Sequence, residues 1–521
     1  VSKRHGALRH EPSVLIEGGW RPVPGDGLVS TNPAHPDRVI WQGAPTLEHV
    51  DEAVGAARTA LAEWSGWPAE RRYGVLRAFA ALCRERVDQI ADLICDETGK
   101  AMWDAKAEAS ILAGKVDITL DSSANFGLTR VTGYELELGE TKTGRCWFRP
   151  HGVMAVLGPF NFPSHLPNGH IVPALAMGNT VVFKPSDKTP AVGQMLAELL
   201  DESLQAAGAP AGVLNLVQGG ADVASSLVAH RDIDGILFTG SWPVGRKILE
   251  ANLDNPGRIV ALELGGNNAA VVMDDADLRQ AAIEVARCAF ITTGQRCTCT
   301  RRLIVHEAVA DALIGAVCKA ASTMIVAEPR AEHPVFMGPL INAASRDAIL
   351  GAQQSLIDAG AETLLLSTPV DHTPGAGYVT PGVLHVDRFV ADEAGGPGRD
   401  AGCDVEFFGP LLRVTTVAGL DEAIEQANAT RYGLAASIFT HDHTSIEQFL
   451  ADARAGCVNV NAGTAGASSK LPFGGLGLSG NHRPAGAFSL DYCAYPVAGM
   501  VETGDAASIS PGMQFDDEWL R

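Results

Sequence analysis

From Val153 onward the sequence alternates short, nearly unbroken apolar runs with stretches of helical periodicity, and this alternation leaves few folds open. The runs are Val153 to Leu157, Thr180 to Lys184, Val213 to Val217, Gly235 to Thr239 and Ile259 to Leu264. Their continuous rather than alternating character predicts strands buried on both faces. Helices between them predict a parallel, doubly wound sheet, an α/β fold. A second series follows Gly265, with Ala269 to Met273, a helix leading to Cys297, Arg302 to Val305, Val414 to Val417 and Ser437 to Thr440. A second α/β domain is expected there.

Ahead of the first sheet, residues 1 to 13 read as a loose tail, and Val14 to Trp20 with the Gly-rich Pro22 to Gly27 as a strand and hairpin at an edge. Apolar spacings of three and four predict helices from Thr46 to Trp64, from Pro68 through Leu93, and from Ala105 to Phe126. Glu97-Thr-Gly-Lys100 closes the second. Thr132 to Arg149 carries glycine and charge without clean alternation, which suits an exposed hairpin. The division expected is a cofactor domain over 14–131 and 150–263, a catalytic domain over 264–470, and oligomerisation elements over 132–149 and 487–503.

Composition excludes more than it selects. At 521 residues and 46% apolar content the chain has ample core for several domains. A net charge of -21 argues against nucleic acid or an anionic membrane as partner, since either needs a basic stripe. No apolar run approaches eighteen residues, and the first ten residues lack a signal-peptide core, so a cytoplasmic protein is expected. The ten cysteines show no paired framework and no Cys-x-x-Cys, which predicts free thiols and no bound metal.

Three motifs carry candidate chemistry. Phe238-Thr239-Gly240-Ser241-x-x-x-Gly245 ends a strand and opens a helix, where backbone amides suit a pyrophosphate. The Gly240-to-Gly245 spacing also matches a triphosphate-binding loop, but Arg246-Lys247-Ile248 stands where Lys-Ser/Thr would be required, and that reading is rejected. Lys184-Pro185-Ser186-Asp187 sits at a strand's carboxyl end, where open sheets bind ligands. Gly475-x-Gly477-x-x-Gly480 matches a dinucleotide fingerprint literally, yet no buried strand precedes it and no helix follows. In the third motif, Cys297 lies behind Gly294-Gln295 and among threonines. A lone cysteine is usually an inert core residue, so its neighbours must make the case.

Phe290-x-x-x-Gly294-Gln295-x-Cys297 and Leu262-Glu263-Leu264-Gly265-Gly266-Asn267, in this order, resemble the two signatures of the aldehyde dehydrogenase superfamily, and the likeness extends over nearly the whole chain. The resemblance implies that Cys297 attacks the aldehyde, that Asn161 and the Cys297 backbone N–H hold the oxyanion, and that Glu263 activates water to hydrolyse the thioester. It implies NAD as cofactor, with Lys184 and Asp187 at the adenosine ribose, Gly240, Ser241 and Gly245 at the pyrophosphate, and Glu406 and Phe408 at the nicotinamide ribose. A homodimer or homotetramer is implied as well.

Narrower stretches, among them Ser164-His165-Leu-Pro-Asn168-Gly169-His170 and Asp491-Tyr-Cys-Ala-Tyr-Pro496, are similar to the branch that oxidises N-succinyl-L-glutamate 5-semialdehyde in bacterial arginine breakdown. Gly169 and His170 replace a Trp-Lys pair common in the wider family, which should widen the aldehyde tunnel. Phe473 is expected at its wall, and His165, His170, Arg296 and Lys470 are candidate cations for substrate carboxylates. Each has a plainer reading: Arg296 as a brace for the nucleophile loop, the histidines as satisfied by backbone, Lys470 as solvated. Ser468-Ser469-Lys470 departs from the narrow pattern. Alternatives are another semialdehyde, such as that of succinate or glutamate, or a broad-range aldehyde oxidation. A CoA-acylating enzyme would not need Glu263, and a non-catalytic nucleotide binder would not need Asn161, Glu263 and Cys297 together.

Overall fold

The computed structural model describes residues 8–123, 125–370, 375–392, 396–505 and 507–521. Its first sheet has seven strands in the order Ile259–Glu263, Gly235–Thr239, Val153–Leu157, Thr180–Lys184, Leu214–Leu216, Ser13–Ile16, Gly19–Pro22. The first five are parallel, as their unbroken apolar character requires, and Val153–Leu157 and Gly235–Thr239 are buried at every position. Helices His165–Ala176, Pro190–Ala206, Ala221–Ala229 and Trp242–Ala251 fall between the strands.

The amino-terminal hairpin does more than decorate an edge. Ser13–Ile16 is wholly buried and pairs antiparallel with the Leu214–Leu216 strand at Leu15 and Leu216. The preceding segment is not loose where it is described, because Glu198 accepts from the amides of Arg9 (2.8 Å) and His10 (3.1 Å). The single helix expected from Pro68 to Leu93 is two, Ala69–Glu85 and Val87–Thr98, broken at Arg86. Apolar spacing runs through the break unchanged; the Arg86 guanidinium, pinned to both oxygens of Glu202 at 2.7 and 2.9 Å, marks where the chain turns. The next helix, Met102–Thr119, ends earlier than expected, since Asp121 folds back onto the amide of Ser123 (2.8 Å).

The second sheet runs Glu362–Leu365, Gly382–His385, Leu411–Val417, Thr300–His306, Asn268–Val272, Ala435–Phe439, Cys457–Val460, parallel except for its first strand. Glu362–Leu365, Gly382–His385 and Cys457–Val460 were not expected. Each has four residues and lies at or next to a sheet edge, too short for a periodicity signal. Tyr134–Glu137, Lys142–Pro150 and Ala494–Glu502 form a separate three-stranded antiparallel sheet.

Between these sheets the chain returns to the first. Ser479 accepts from the amide of Leu264 (3.0 Å), and the Asn481 side chain bonds both Leu262 N (3.0 Å) and Val260 O (2.7 Å). The Gly475 to Gly480 run therefore covers the edge strand that carries Glu263, and it opens no helix.

Candidate active site

The loop leading to Cys297 is held in a conformation its residues would not choose alone. Helix Leu278–Phe290, capped by Asp277 onto Gln280 N (3.0 Å), runs into a turn where Thr292 (φ 56°), Thr293 (φ 55°) and Gly294 (φ 70°) are all left-handed. The left-handed region costs an L-residue roughly 1–2 kcal/mol, and β-branching makes threonine a poor occupant. Gly294 is required outright, since a Cβ there would lie 2.2 Å from the carbonyl of Gly409.

Surrounding groups over-determine the turn. Thr292 Oγ1 donates to Asp104 Oδ2 (2.5 Å), Thr293 Oγ1 to the Gly338 carbonyl (2.9 Å), and Arg296 to both Thr292 Oγ1 and Asp104 Oδ1 (2.7 Å each). Gln295 Oε1 accepts from Ile341 N (3.0 Å), and the buried Arg301 donates to the carbonyls of Gly294 (2.5 Å) and Gly409 (2.8 Å). Strain fixed this firmly is typical of functional loops.

Cys297, which follows directly, is half-buried. Burial, with smaller contributions from the carboxyls of Glu406 and Glu263, pushes its thiol up to about 12, so the resting group is a thiol and needs help to ionise. Cys299 is fully buried with Sγ 3.7 Å from the Ile291 carbonyl, the environment of an inert cysteine.

Glu263 ends the Ile259–Glu263 strand and is 4% exposed. One oxygen accepts a long bond from Ala485 N (3.3 Å); the other has no partner. Burial raises its pKa well above the usual carboxylate range, with only the Ala485 amide opposing. An unpaired buried carboxyl costs stability, and it is also how a glutamate is tuned toward neutral pH for base catalysis. Asn161, likewise buried, donates to the Gln295 carbonyl at 2.9 Å. That bond occupies one of its two N–H donors and ties it to the loop leading to Cys297.

Of the other sequence-predicted residues, Lys184, Asp187, Gly240, Ser241 and Gly245 lie at or just beyond the carboxyl ends of strands of the first sheet, and Glu406 and Phe408 precede a strand of the second. Lys184 is buried, and burial draws its ammonium down to about 8 against the opposing charges of Asp187 and Asp222. Its Nζ donates to the Pro185 carbonyl (2.8 Å), leaving donors suited to ribose hydroxyls, with Asp187 exposed beside it. Ser241 caps helix Trp242–Ala251 with no side-chain hydrogen bond; Pro243 has no N–H and the Val244 and Gly245 amides donate to the Ser241 carbonyl (3.2 and 3.0 Å), so in this turn the Trp242 amide is the donor left to meet a phosphate. Gly240 N is tied to the Glu263 carbonyl (3.0 Å), and a Cβ at Gly245 would sit 2.8 Å from Leu264. Glu406 accepts from Gly266 N (3.0 Å), while the Phe408 ring meets Phe160 edge-on at 5.8 Å with Lys188 over the latter. These residues fit a dinucleotide.

On the substrate side two expectations are corrected. Neither histidine is a cation: burial pulls His165 to about 4 and His170 to about 3. His170 is bonded to the Tyr492 hydroxyl (2.9 Å) and Thr239 Oγ1 (3.2 Å), so it braces helix His165–Ala176 on the sheet. His165 keeps a buried Nδ1 without a hydrogen-bond partner, a neutral polar group. Arg296 is ion-paired to Asp104, so the bracing reading fits it better than a free cation. Lys470 is exposed. Phe473 is half-buried and pairs with Ala485, the residue whose amide bonds Glu263. A Cβ at Gly169 would meet nothing within 4 Å, so that helix face, shared with His165 one turn earlier, borders open space.

The sequence model of the aldehyde dehydrogenase family matches residues 20–496. The chain belongs to the aldehyde dehydrogenase family. This family member is 45% identical over 490 residues to N-succinylglutamate 5-semialdehyde dehydrogenase 2 of Caulobacter vibrioides, covering 93% of this chain and 95% of that one. It is 43% identical to N-succinylglutamate 5-semialdehyde dehydrogenase of Sphingopyxis alaskensis, covering 94% and 96%. Among solved structures, an NAD-dependent aldehyde dehydrogenase from Sinorhizobium meliloti superposes with a TM-score of 0.87 at 28% identity, over 97% of this chain and 98% of that one. Gamma-glutamyl-gamma-aminobutyraldehyde dehydrogenase from Burkholderia cenocepacia gives 0.85 at 31%, over 96% and 98%.

Sequence reasoning missed the supporting residues of this dehydrogenase site: Asp104, Glu108, Asn268 and Arg301. Glu108 pairs with Lys100 (2.6 Å) and caps the next helix through Ser164 N (3.0 Å), and Lys100 Nζ lies 3.5 Å above the Phe162 ring. A signal was present, because Asp104 and Glu108 stand four apart on one helix face and are both buried among alanines and leucine.

Proposed function

We propose that this chain oxidises N-succinyl-L-glutamate 5-semialdehyde to N-succinyl-L-glutamate with NAD, through a thiohemiacetal and a thioester on Cys297. The observation that carries the chemistry is the unpartnered, buried carboxyl of Glu263, close enough to Cys297 to raise its thiol. Glu263 takes the thiol proton and passes it to solvent as Cys297 Sγ bonds the aldehyde carbon, and the oxyanion that forms is met by the Cys297 backbone N–H and Asn161. Lys184, Asp187, Gly240, Ser241, Gly245, Glu406 and Phe408 would hold NAD, which supplies the hydride acceptor when bound. Glu263 then takes a proton from water as its oxygen attacks the thioester, and Cys297 leaves as thiolate with the acid released.

For the substrate, the names of the two relatives and the open space at Gly169 support a long semialdehyde. Asp187 supports NAD, since a 2'-phosphate would meet like charge. The three-stranded sheet, with Tyr134, Leu136 and Met500 exposed, supports a homodimer or homotetramer built on that element, and ten free cysteines suit a cytoplasmic enzyme. No described helix is long and apolar enough to cross a membrane.

The test is an aldehyde panel with NAD, scored for NADH and for free acid. The succinylated semialdehyde should exceed succinate semialdehyde and propanal in kcat/KM. Equal values would replace this reading with a general aldehyde oxidation.

A further inference from the structure

Cys297 is aimed by a loop whose left-handed threonine is gripped from a distant helix. Asp104, in the first turn of helix Met102–Thr119 and 1% exposed, accepts from Thr292 Oγ1 through Oδ2 (2.5 Å) and from Arg296 Nη2 through Oδ1 (2.7 Å). Arg296 Nε closes the ring onto Thr292 Oγ1 at 2.7 Å. One carboxylate thus ties together two residues, four apart, that bracket the turn ending at the nucleophile. Above the ring, the Arg296 guanidinium lies 4.9 Å from the Phe162 centroid, next to Asn161.

We propose that Asp104 is a positioning residue for the nucleophile: its clamp on Thr292 and Arg296 keeps the 292–294 turn left-handed and so fixes where the Cys297 sulfur points. Asp104 is buried, its carboxylate bonded to Thr292 and Arg296, and in this proposal it acts only through the loop. The proposal rests on the reading of Cys297 as nucleophile. It assigns Arg296 to the loop rather than to a substrate carboxylate, which follows from its charge being met by a buried aspartate. Threonine is the informative partner. Its hydroxyl is what Asp104 holds, and its branched Cβ is what makes the turn unfavourable without that hold.

Asp104→Asn and Thr292→Val each weaken the clamp, and Thr292→Gly removes the need for it, because glycine adopts the left-handed region freely. With NAD and propanal, Asp104→Asn and Thr292→Val should each lower kcat about 10- to 100-fold, the scale set by sub-ångström misplacement of a reacting group, with KM changed less than about threefold. Alkylation of Cys297 by iodoacetamide in cofactor-free enzyme, located by mass spectrometry, should change alongside kcat. The Asp104→Asn/Thr292→Val pair should cost no more than either single change, and Thr292→Gly in the Asp104→Asn background should recover at least about fivefold. Additive losses, a loss confined to KM, or no recovery with glycine would overturn the clamp. If Asp104→Asn does not fold, the Thr292 pair decides alone: valine impaired and glycine near wild type supports the clamp, and the reverse order overturns it. Cys297→Ala that still forms NADH would instead sink the nucleophile reading, a result separable from all of these.

Discussion

The side-chain amide of Asn268 donates to the carbonyl of Cys297 at 2.7 Å, and the same nitrogen reaches the carbonyl of Cys299 at 2.8 Å. Its Oδ1 accepts from Ala435 N at 2.9 Å, so one buried side chain ties the backbone at the nucleophile to two strands of the second sheet. Asn268→Ala strands two buried backbone groups, the Cys299 carbonyl and the Ala435 amide, and the part-buried Cys297 carbonyl. At roughly 1 kcal/mol for each lost hydrogen bond, unfolding free energy should fall by about 2–3 kcal/mol, read as a lower denaturant midpoint with unchanged slope.

Of the two cysteines in the Cys297-Thr-Cys299 stretch, only one should matter for turnover. Cys297→Ala should abolish NADH formation. Cys299→Ala should retain most of it while losing about 1 kcal/mol of stability, because Cys299 is a fully buried packing residue. The pair is decided by a steady-state assay beside thermal melts; equal loss of turnover in two folded variants contradicts the assignment.

Glu263 makes a prediction in pH. Its folded pKa lies above the ordinary 4.5 because of burial, so the carboxyl favours the fold while protonated. That contribution is complete below about pH 4.5 and disappears as pH rises through the raised folded value. Glu263→Gln cannot ionise, so the variant should gain on wild type in denaturant midpoint between pH 5 and pH 9. A constant gap would mean that Glu263 titrates normally. The same variant should bind NAD yet accumulate acyl-enzyme, visible by mass spectrometry of quenched samples, since the thioester loses its base.

The strands of the first sheet were legible because continuous apolar runs bounded by glycine have one cheap solution, and Val153–Leu157, Thr180–Lys184 and Gly235–Thr239 fall where the runs do. The placement of Lys184 at a strand end and of Gly245 in the first turns of the following helix was legible for the same reason. What was not legible depends on partners far away in the chain. His165 and His170 read as cations, because nothing nearby in sequence announces that burial will discharge them. Arg296 has its partner nearly two hundred residues upstream, at Asp104. A side chain's type predicts what it is able to do; its burial and its partner decide what it does.

Gly169 offers the sharpest test of the substrate. Beyond its own helix backbone, no atom lies within 4 Å of where its Cβ would stand, and His165, one turn earlier on the same helix face, presents a neutral nitrogen without a partner. Both observations describe a helix face with room and with polar capacity, as a long polar semialdehyde requires and a short alkyl aldehyde does not. Gly169→Trp fills the space without displacing a neighbour at Cβ, so stability should change by less than about 1 kcal/mol. The kcat/KM ratio of the succinylated semialdehyde over propanal should fall at least about tenfold, within the 1–3 kcal/mol that pocket shape commands. His165→Leu should lower kcat/KM for the succinylated substrate and leave propanal nearly unchanged, because only the former has groups to meet the imidazole. A Gly169→Trp enzyme that kept the wild-type ratio would place the substrate elsewhere and remove the structural support for a long semialdehyde.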